Sequence, residues 1–406
     1  MRKFGVCLAL VCFSYGLDIN ESVQKALQKS HKIEEQRHIL SSLKAQLGVY
    51  EGAYYPKIDL KNQSVYDTRE SFGNKTSLQL STNLFNGMSD YNSIKRQEKI
   101  IQAQDDEVSK IQSEVKYNIK KLYTQILLAK GLLETSEESA KLLELQLAQA
   151  NQFYKQGISA KNNVLSVEVS LASAKLDINS YMTRLRYLLA SLELLIEEKV
   201  DLNSLKDLAS CEVELNYDQL SLIIFEHQQE YRKMQKQEGA LLFDIQSAKG
   251  DYYPKIDLSI GGDINAGVQT YSQAKIQLGI TLNLFNGLKD SSTIQSKRYE
   301  LLSLHSKMQA YKKEVLSNLR QAVGDFNLAK DQYLLSKKTI QSAQENYRIV
   351  SNRYKQNLEN ATTLLDAELM LKTARANLLQ AQYGIWENLF YVEYLVGREV
   401  EGFLIQ

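Results

Sequence analysis

Two stretches of the chain alternate between apolar and polar residues. In the clearer stretch, apolar residues occupy nearly every second position from Ile256 to Leu284, on both sides of a short turn. A period of two places successive side chains on opposite faces of a strand. The pattern predicts a strand pair over about 255–286, and a weaker copy predicts a second pair over about 57–86.

A different period follows each strand pair. Apolar or small residues recur at alternating steps of four and three from Val115 to Tyr154, and again from Val315 to Tyr354. Heptads sustained over this length are typical of long helices in left-handed coiled-coil packing. Each series therefore predicts one long helix that ends in a short turn.

Single residues predict where these helices stop. Gly157 and Asn357 suit the left-handed conformation that ends a helix. Beyond each turn, the apolar pattern predicts a return helix, over roughly 164–197 in the first case and 364–395 in the second. Gly397 is predicted to cap the second return helix.

The two halves of the chain share short motifs. GAYYPKIDL begins at Gly52 and GDYYPKIDL at Gly250, and both NLFNG and YKQ occur twice at a similar spacing of about 200 residues. These matches indicate an internal duplication. Because proline disrupts the interior of a helix, the only two prolines, Pro56 and Pro254, are predicted to mark the helix–strand junctions.

The N-terminal stretch MRKFGVCLALVCFSYG has a basic start and an apolar segment, which is typical of a secretory signal. Removal of this signal would leave Cys211 as the only cysteine, so no intramolecular disulfide is predicted. The predicted organisation is a signal peptide at 1–16, repeat 1 at 17–198, an equatorial linker at 199–216, repeat 2 at 217–397 and a short tail at 398–406.

Composition and motifs argue against several classes of function. The net charge is +1 and no basic patch accompanies it, so no nucleic-acid partner is predicted. The histidines show no metal-ligand spacing, and the sequence contains no phosphate-binding loop or nucleophile motif. The sequence thus predicts no enzyme activity, no cofactor and no metal site.

After the N-terminal segment, no part of the sequence reaches the length of about 18 apolar residues that a membrane helix needs. Alternating strands of about ten residues instead match the strands of a transmembrane barrel. Four strands cannot close a barrel alone, and lipid does not tolerate open sheet edges. Several chains would have to share one barrel, as a dimer or a trimer. A soluble helical scaffold with a small sheet is the alternative at this point.

The sequence resembles the TolC-like outer-membrane efflux family over nearly all of the predicted mature chain. The duplicated element order, the paired YYPKIDL and NLFNG motifs and the segment YKQNLENATTLLDAELMLKTARANLLQAQY at 354–383 carry the resemblance. It implies a mainly helical chain with a transmembrane β-barrel of twelve strands, shared by a homotrimer in outer-membrane lipid. A long coiled-coil tube would extend into the periplasm.

The same resemblance implies a function. Proteins of this kind are exit ducts of tripartite efflux pumps or type I secretion systems. They work with a periplasmic adaptor (a membrane fusion protein) and an inner-membrane transporter of the RND or ABC type. A trimeric coiled-coil adhesin or autotransporter is the other possibility for a shared barrel. Its strands would usually lie at one end of the chain, whereas here each half contains a strand pair, which favours the duct.

Site residues follow from the resemblance, position by position. Asp366 corresponds to a pore-facing aspartate of the second tip, whereas Thr363 and Asn163 stand where the family often has further aspartates. Glu359 lies near the position of the usual gate arginine, which leaves two alternatives for the closed state: the salt-bridge lock that the family implies, or hydrogen bonds and helix packing. The alternative role for Asp366 is to stabilise the first turn of its helix.

The turns between the helices are predicted to face the adaptor. Plain helix–helix turns are the alternative, because any helical hairpin needs such residues. The six docking residues are Gln156, Gly157, Ile158, Gln356, Asn357 and Leu358.

Overall fold

A computed structural model describes residues 17–67, 71–209, 211–266 and 271–400. The predicted signal peptide at 1–16, with Cys7 and Cys12, lies outside these ranges, as does most of the predicted tail. The helices and strands are α1 Ile19–Lys29, α2 His31–Glu51, β1 Lys57–Asp67, β2 Ser71–Asn86, α3 Ser89–Lys155, α4 Lys161–Ile196, α5 Tyr217–His227, α6 Gln229–Ala248, β3 Lys255–Ala266, β4 Tyr271–Thr281, α7 Lys289–Lys355 and α8 Ala361–Val396.

The order of these elements repeats along the chain. Each half has helices, a strand pair, a long helix of 67 residues and a return helix of 36 residues. At 1.5 Å per residue, each long helix extends for about 100 Å. The predicted fold class, a mainly helical and internally duplicated chain with four strands, is confirmed.

The chain divides into two compact units. The helical unit comprises the described residues within Met1–His31, Ile111–Ile224 and Leu316–Gln406, and the sheet unit comprises those within Lys32–Lys110 and Phe225–Val315. The long helices α3 and α7 contribute residues to both units.

Within the sheet unit, four antiparallel strands follow one another in the order β1-β2-β3-β4. Residues that pair across neighbouring strands lie on the same face of the sheet. A row of paired residues therefore shows which side chains that face presents. One row consists of Ile58, Leu80, Ile260 and Ile276, and all four side chains are exposed. The sheet therefore has an open apolar face.

The opposite face of the sheet is polar. Asp263 lies 3.0 Å from the Lys75 ammonium and 3.3 Å from the Lys275 ammonium, with the three residues on neighbouring strands. The alternation predicted from the sequence is thus present as an apolar face and a charged face.

The last strand is shorter than the predicted pair over 255–286. It ends at Thr281, which pairs with the first residue of β3, Lys255. In the first copy, β2 continues to Asn86 because its final residues pair with β3 through a bulge between Asn83 and Phe85. Since β4 is an edge strand, the corresponding residues after Thr281 have no neighbouring strand among the described residues, and they leave the ladder.

In the helical unit, a large core forms around α3, α4 and α8, with Tyr123, Leu192 and Phe390 among its buried members. The predicted linker at 199–216 is attached to this unit by hydrogen bonds. The Trp386 indole N–H donates to the carbonyl of Ala209 at 3.1 Å. The Lys330 ammonium donates to the carbonyl of Val213 at 3.1 Å.

Candidate pore and docking site at the helix tips

The first tip turn connects α3 to α4. The Ile158 N–H donates to the carbonyl of Phe153 at 2.9 Å, and the Gly157 N–H donates to that of Tyr154 at 3.0 Å. These two bonds form the Schellman motif, which requires a left-handed residue just after the helix. Gly157 supplies it with a φ of 73°.

The second tip turn has the same construction between α7 and α8. The Leu358 N–H donates to Arg353 and the Asn357 N–H to Tyr354, both at 2.9 Å. Asn357 adopts the left-handed conformation with a φ of 58°, which asparagine tolerates better than most residues. The left-handed conformations predicted at Gly157 and Asn357 are therefore confirmed.

The residues predicted to face the adaptor are exposed in both turns. Each turn presents one apolar side chain to solvent, with Ile158 48% exposed and Leu358 63% exposed. Behind the turns, the first residues of α4 and α8 pack together, and Val164, Val167 and Leu364 are buried in this cluster. The apolar tips are therefore carried by a packed support.

One aromatic contact distinguishes the two turns. The ring of Tyr354 packs edge-on against Phe153, with centroids 5.7 Å apart, and is buried. Tyr154, its counterpart in the first copy, is 45% exposed. The repeated YKQ motif thus has one tyrosine in the core and one at the surface, a difference that the sequence motif does not reveal.

Two of the predicted pore residues make local hydrogen bonds. The Asn163 amide donates to the Ser159 hydroxyl at 2.7 Å. The Thr363 N–H and hydroxyl both donate to the Asn360 carboxamide oxygen, at 2.8 and 3.0 Å. Both side chains thus stabilise the start of a return helix.

Asp366 differs from these residues, and its predicted position needs a correction. The return helix begins at Ala361 because Asn360 caps it, so Asp366 lies in the second turn and not in the first. The side chain forms no ion pair with any residue that the structure describes. Stabilisation of the helix start belongs to Asn360, which leaves the Asp366 carboxylate available to solvent.

Asp366 lines an open groove of about 710 Å³ between α4 and α8. Further along this groove, the Lys372 ammonium lies 2.5 Å from the Asp177 carboxylate. Glu368 is buried beside the groove and accepts a hydrogen bond from Ser139. Burial raises the pKa of the Glu368 carboxyl, although the Ser139 hydrogen bond and the charge of Lys372 oppose the shift.

The sequence reasoning did not identify Glu368, Lys372 or Asp177 as part of this groove. A polar stripe could have indicated it, since Ser166, Ser170 and Ser173 recur at helical spacing on α4 and also line the groove. The lining is mixed, with several leucines and Val169 beside the hydroxyl and carboxylate groups.

The two prolines precede the first strand of each pair. Pro56 follows the short 3-10 helix Gly52–Tyr54 and immediately precedes β1, and Pro254 stands in the same relation to β3. At the second junction, the backbone of Gly250 packs against Gly87. A Cβ atom added at Gly87 would lie 2.1 Å from the Gly250 carbonyl oxygen. This contact explains the glycine of the first NLFNG motif.

Among the described residues, the helices include none that is both long and apolar enough to cross a membrane. The same residues contain no group of three or more histidine, cysteine, aspartate or glutamate side chains that could hold a metal ion.

The sequence matches the profile of the outer membrane efflux protein family twice, over residues 22–196 and 225–397. The two matches cover most of the chain and correspond to its two copies. The chain belongs to the outer membrane efflux protein family, whose location is the outer membrane. No curated protein matches the sequence.

Solved structures share the fold. A structure of CusC superimposes with a TM-score of 0.82 at 16% identity, over 95% of this chain and 93% of CusC. VceC of Vibrio cholerae gives 0.81 at 14% identity, over 94% and 97% of the two chains. The CmeC outer membrane channel of Campylobacter jejuni gives 0.81 at 15% identity, over 93% and 85%. At these identities the likeness establishes the fold and leaves the cargo open.

Proposed function

We propose that this chain is the exit duct of a tripartite efflux pump or a type I secretion system, and that it works as a homotrimer. The observation that carries the proposal is the four-stranded sheet. It has an exposed apolar face, while its edge strands β1 and β4 each have only one neighbour among the strands that the structure describes. In lipid, the unpaired N–H and C=O groups of these edges would need partners.

Further copies of the chain provide those partners. Three copies contribute twelve strands to one closed barrel, with the apolar face towards lipid and the charged face towards the lumen. The resemblance to TolC-like proteins supports three copies over two. The long helices α3 and α7 and their return helices would then form the periplasmic tube.

The tips of these helices are the proposed contact with the periplasmic adaptor. Two turns of the same geometry expose Ile158 and Leu358 on a packed support. Exposed apolar side chains on a rigid base are typical of surfaces that bind another protein. The inner-membrane transporter, of the RND or ABC type, would supply the energy for transport.

A double variant at the tips tests the docking role. Ile158→Asp combined with Leu358→Asp places two charges on the docking turns while leaving their backbone unchanged. We expect export in cells to fall to the level of a strain that lacks the duct, whereas the trimer yield, measured by native mass spectrometry, stays at the wild-type level.

The matched control keeps the apolar character, with Ile158→Val combined with Leu358→Ile, and should export normally. Wild-type export by the aspartate variant would contradict adaptor docking at these turns. Loss of trimer together with export would show instead that the turns serve assembly.

A further inference from the structure

We infer that a groove in the sheet unit, between the 3-10 helix Lys249–Tyr252 and the start of α7, binds the phosphate group of an anionic lipid headgroup. The groove has a volume of about 640 Å³ and is open to solvent. Two cations line it, Lys249 and Arg298, together with Tyr252, Tyr253 and Tyr299. The inference goes beyond the duct function and rests on one part of that proposal, that the sheet spans the membrane.

The two cations have no internal partner. Neither Lys249 nor Arg298 forms an ion pair with any residue in the described ranges 17–67, 71–209, 211–266 and 271–400. The nearest acidic residues along the chain are engaged elsewhere. Asp251 pairs with Lys255 at 2.9 Å, and Glu300 pairs with Lys297 at 3.4 Å.

Comparison with the first copy shows that folding does not require these charges. Glu51 stands at the position that corresponds to Lys249, and Glu98 at the position that corresponds to Arg298. Both copies nevertheless form the same sequence of helix, 3-10 helix and strand. The tyrosines before the proline occur in both copies, so the second copy differs specifically in having cations.

The groove also lies where a lipid headgroup would be. Tyr253 is followed by Pro254 and by β3, whose apolar side chains include the exposed Ile260. Tyrosine rings and basic residues collect at the boundary between lipid and water. Leu302 lines the same groove and offers an apolar surface next to the charges.

The chemistry of the side chains fits a phosphate group. A guanidinium presents two parallel N–H donors to phosphate oxygens, and an ammonium adds a further charge-assisted hydrogen bond. Phenolic hydroxyl groups donate to the remaining oxygens. Neutral zwitterionic headgroups would bring their own cation close to Arg298 and Lys249, which favours an anionic lipid.

Charge reversal in the purified assembly tests the inference. The variant Lys249→Glu combined with Arg298→Glu installs the residues of the first copy. We expect the affinity for phosphatidylglycerol, measured by native mass spectrometry or in nanodiscs, to fall about tenfold or more, as the loss of charge-assisted hydrogen bonds implies. Phosphatidylcholine should bind weakly to both proteins.

A matched control changes two exposed lysines of α7 in the same unit, with Lys307→Glu combined with Lys313→Glu. It removes the same net charge and should keep wild-type lipid binding. Equal phosphatidylglycerol affinity in the wild type and the Lys249/Arg298 variant would overturn the inference, as would an equal loss in the control. Displacement of the lipid by equimolar inorganic phosphate would overturn the assignment to a lipid.

Discussion

Glu368 is a carboxylate in the interior of the helical unit, where it is only 6% exposed. Burial raises the pKa of this carboxyl above its ordinary value of about 4.3, because the charged form loses its hydration. A carboxyl whose pKa is higher in the folded state than in the unfolded state stabilises the fold at pH values below its unfolded-state pKa. That contribution is lost as the pH rises through the folded-state pKa. At neutral pH, the burial of the Glu368 carboxyl therefore lowers the stability of the helical unit.

The variant Glu368→Gln should remove this effect. Glutamine has a similar shape and its amide oxygen can still accept the Ser139 hydrogen bond. At pH 7 we expect the variant to be more stable than the wild type, within the range of about 0.5–3 kcal/mol that single substitutions reach. The difference should shrink as the pH falls and vanish well below the ordinary pKa of about 4.3, where the wild-type carboxyl is protonated in both states.

Thermal unfolding of the detergent-solubilised protein at a series of pH values measures this difference. The variant Glu345→Gln provides a control, because Glu345 is an exposed residue of α7. Its ion pair with Arg348 holds the pKa of the Glu345 carboxyl below its ordinary value. A destabilising effect of Glu368→Gln at pH 7 would show that the Lys372 and Arg375 charges outweigh desolvation.

At the residue scale, the sequence predicted local backbone geometry better than side-chain environment. Gly157 and Asn357 have the predicted left-handed conformation because it depends on the residue itself. The environments of Tyr154 and Tyr354 differ because each depends on which helix packs against it. Periodicity cannot supply that information, since both tyrosines occupy the same heptad position.

At the scale of elements, the edge strands of the sheet determine how one copy of the chain can pair with the next. Within the chain, β2 pairs with β3 so that Asn86 lies opposite Lys255. The equivalent residues are Lys57, the first residue of β1, and Asn286, which lies beyond the end of β4 at Thr281. If β4 of one copy pairs with β1 of the next in the same register, Asn286 of one chain lies opposite Lys57 of another.

The glycines support the same pairing. Gly87 and Gly250 pack closely within the chain, whereas their equivalents, Gly287 and Gly52, have open space around them. A neighbouring copy could bring a Gly52 against Gly287 and repeat the contact. The residues after Thr281, which leave the ladder in the single chain, would then regain a strand partner.

Cysteine cross-linking tests this register. In a Cys211→Ser background, Lys57→Cys combined with Asn286→Cys should form disulfides between copies, since directly opposed residues have Cβ atoms about 4.5–5.5 Å apart. Mild oxidation should give a covalent trimer on a denaturing gel. The pair Lys61→Cys and Asn286→Cys is the control, because four residues shift the partner by about 13 Å. Equal cross-linking of both pairs would contradict the register.

The sequence predicted most elements because each has a strong local signal. The heptads predicted α3 and α7, and the alternation predicted β1 and β3. The early end of β4 at Thr281 could not be predicted in this way. Strand pairing depends on the neighbouring strand, and the alternation itself continues to Leu284.

At the scale of the whole molecule, duplication gives two copies that share a framework and differ in their charges. The first tip has Asn163 where the second has Thr363, and both side chains hydrogen-bond at a helix start. Asp366 has no acidic counterpart, since Ser166 occupies the equivalent position in the first copy. Of these two equivalent positions, only that of Asp366 therefore carries a charge.

Three copies would place three Asp366 carboxylates at one level of the duct. Rings of carboxylates in a narrow pore favour cations and slow anions. Neutralisation with Asp366→Asn should therefore move the reversal potential in a salt gradient towards zero and weaken block by divalent cations. Both quantities can be measured on single trimers in planar bilayers.

The control is Asp331→Asn, which neutralises an exposed aspartate of α7 outside the groove. Trimer yield should stay unchanged in both variants, because Asp366 forms no ion pair with the described residues. An unchanged reversal potential in Asp366→Asn would show that this carboxylate does not face the ion path.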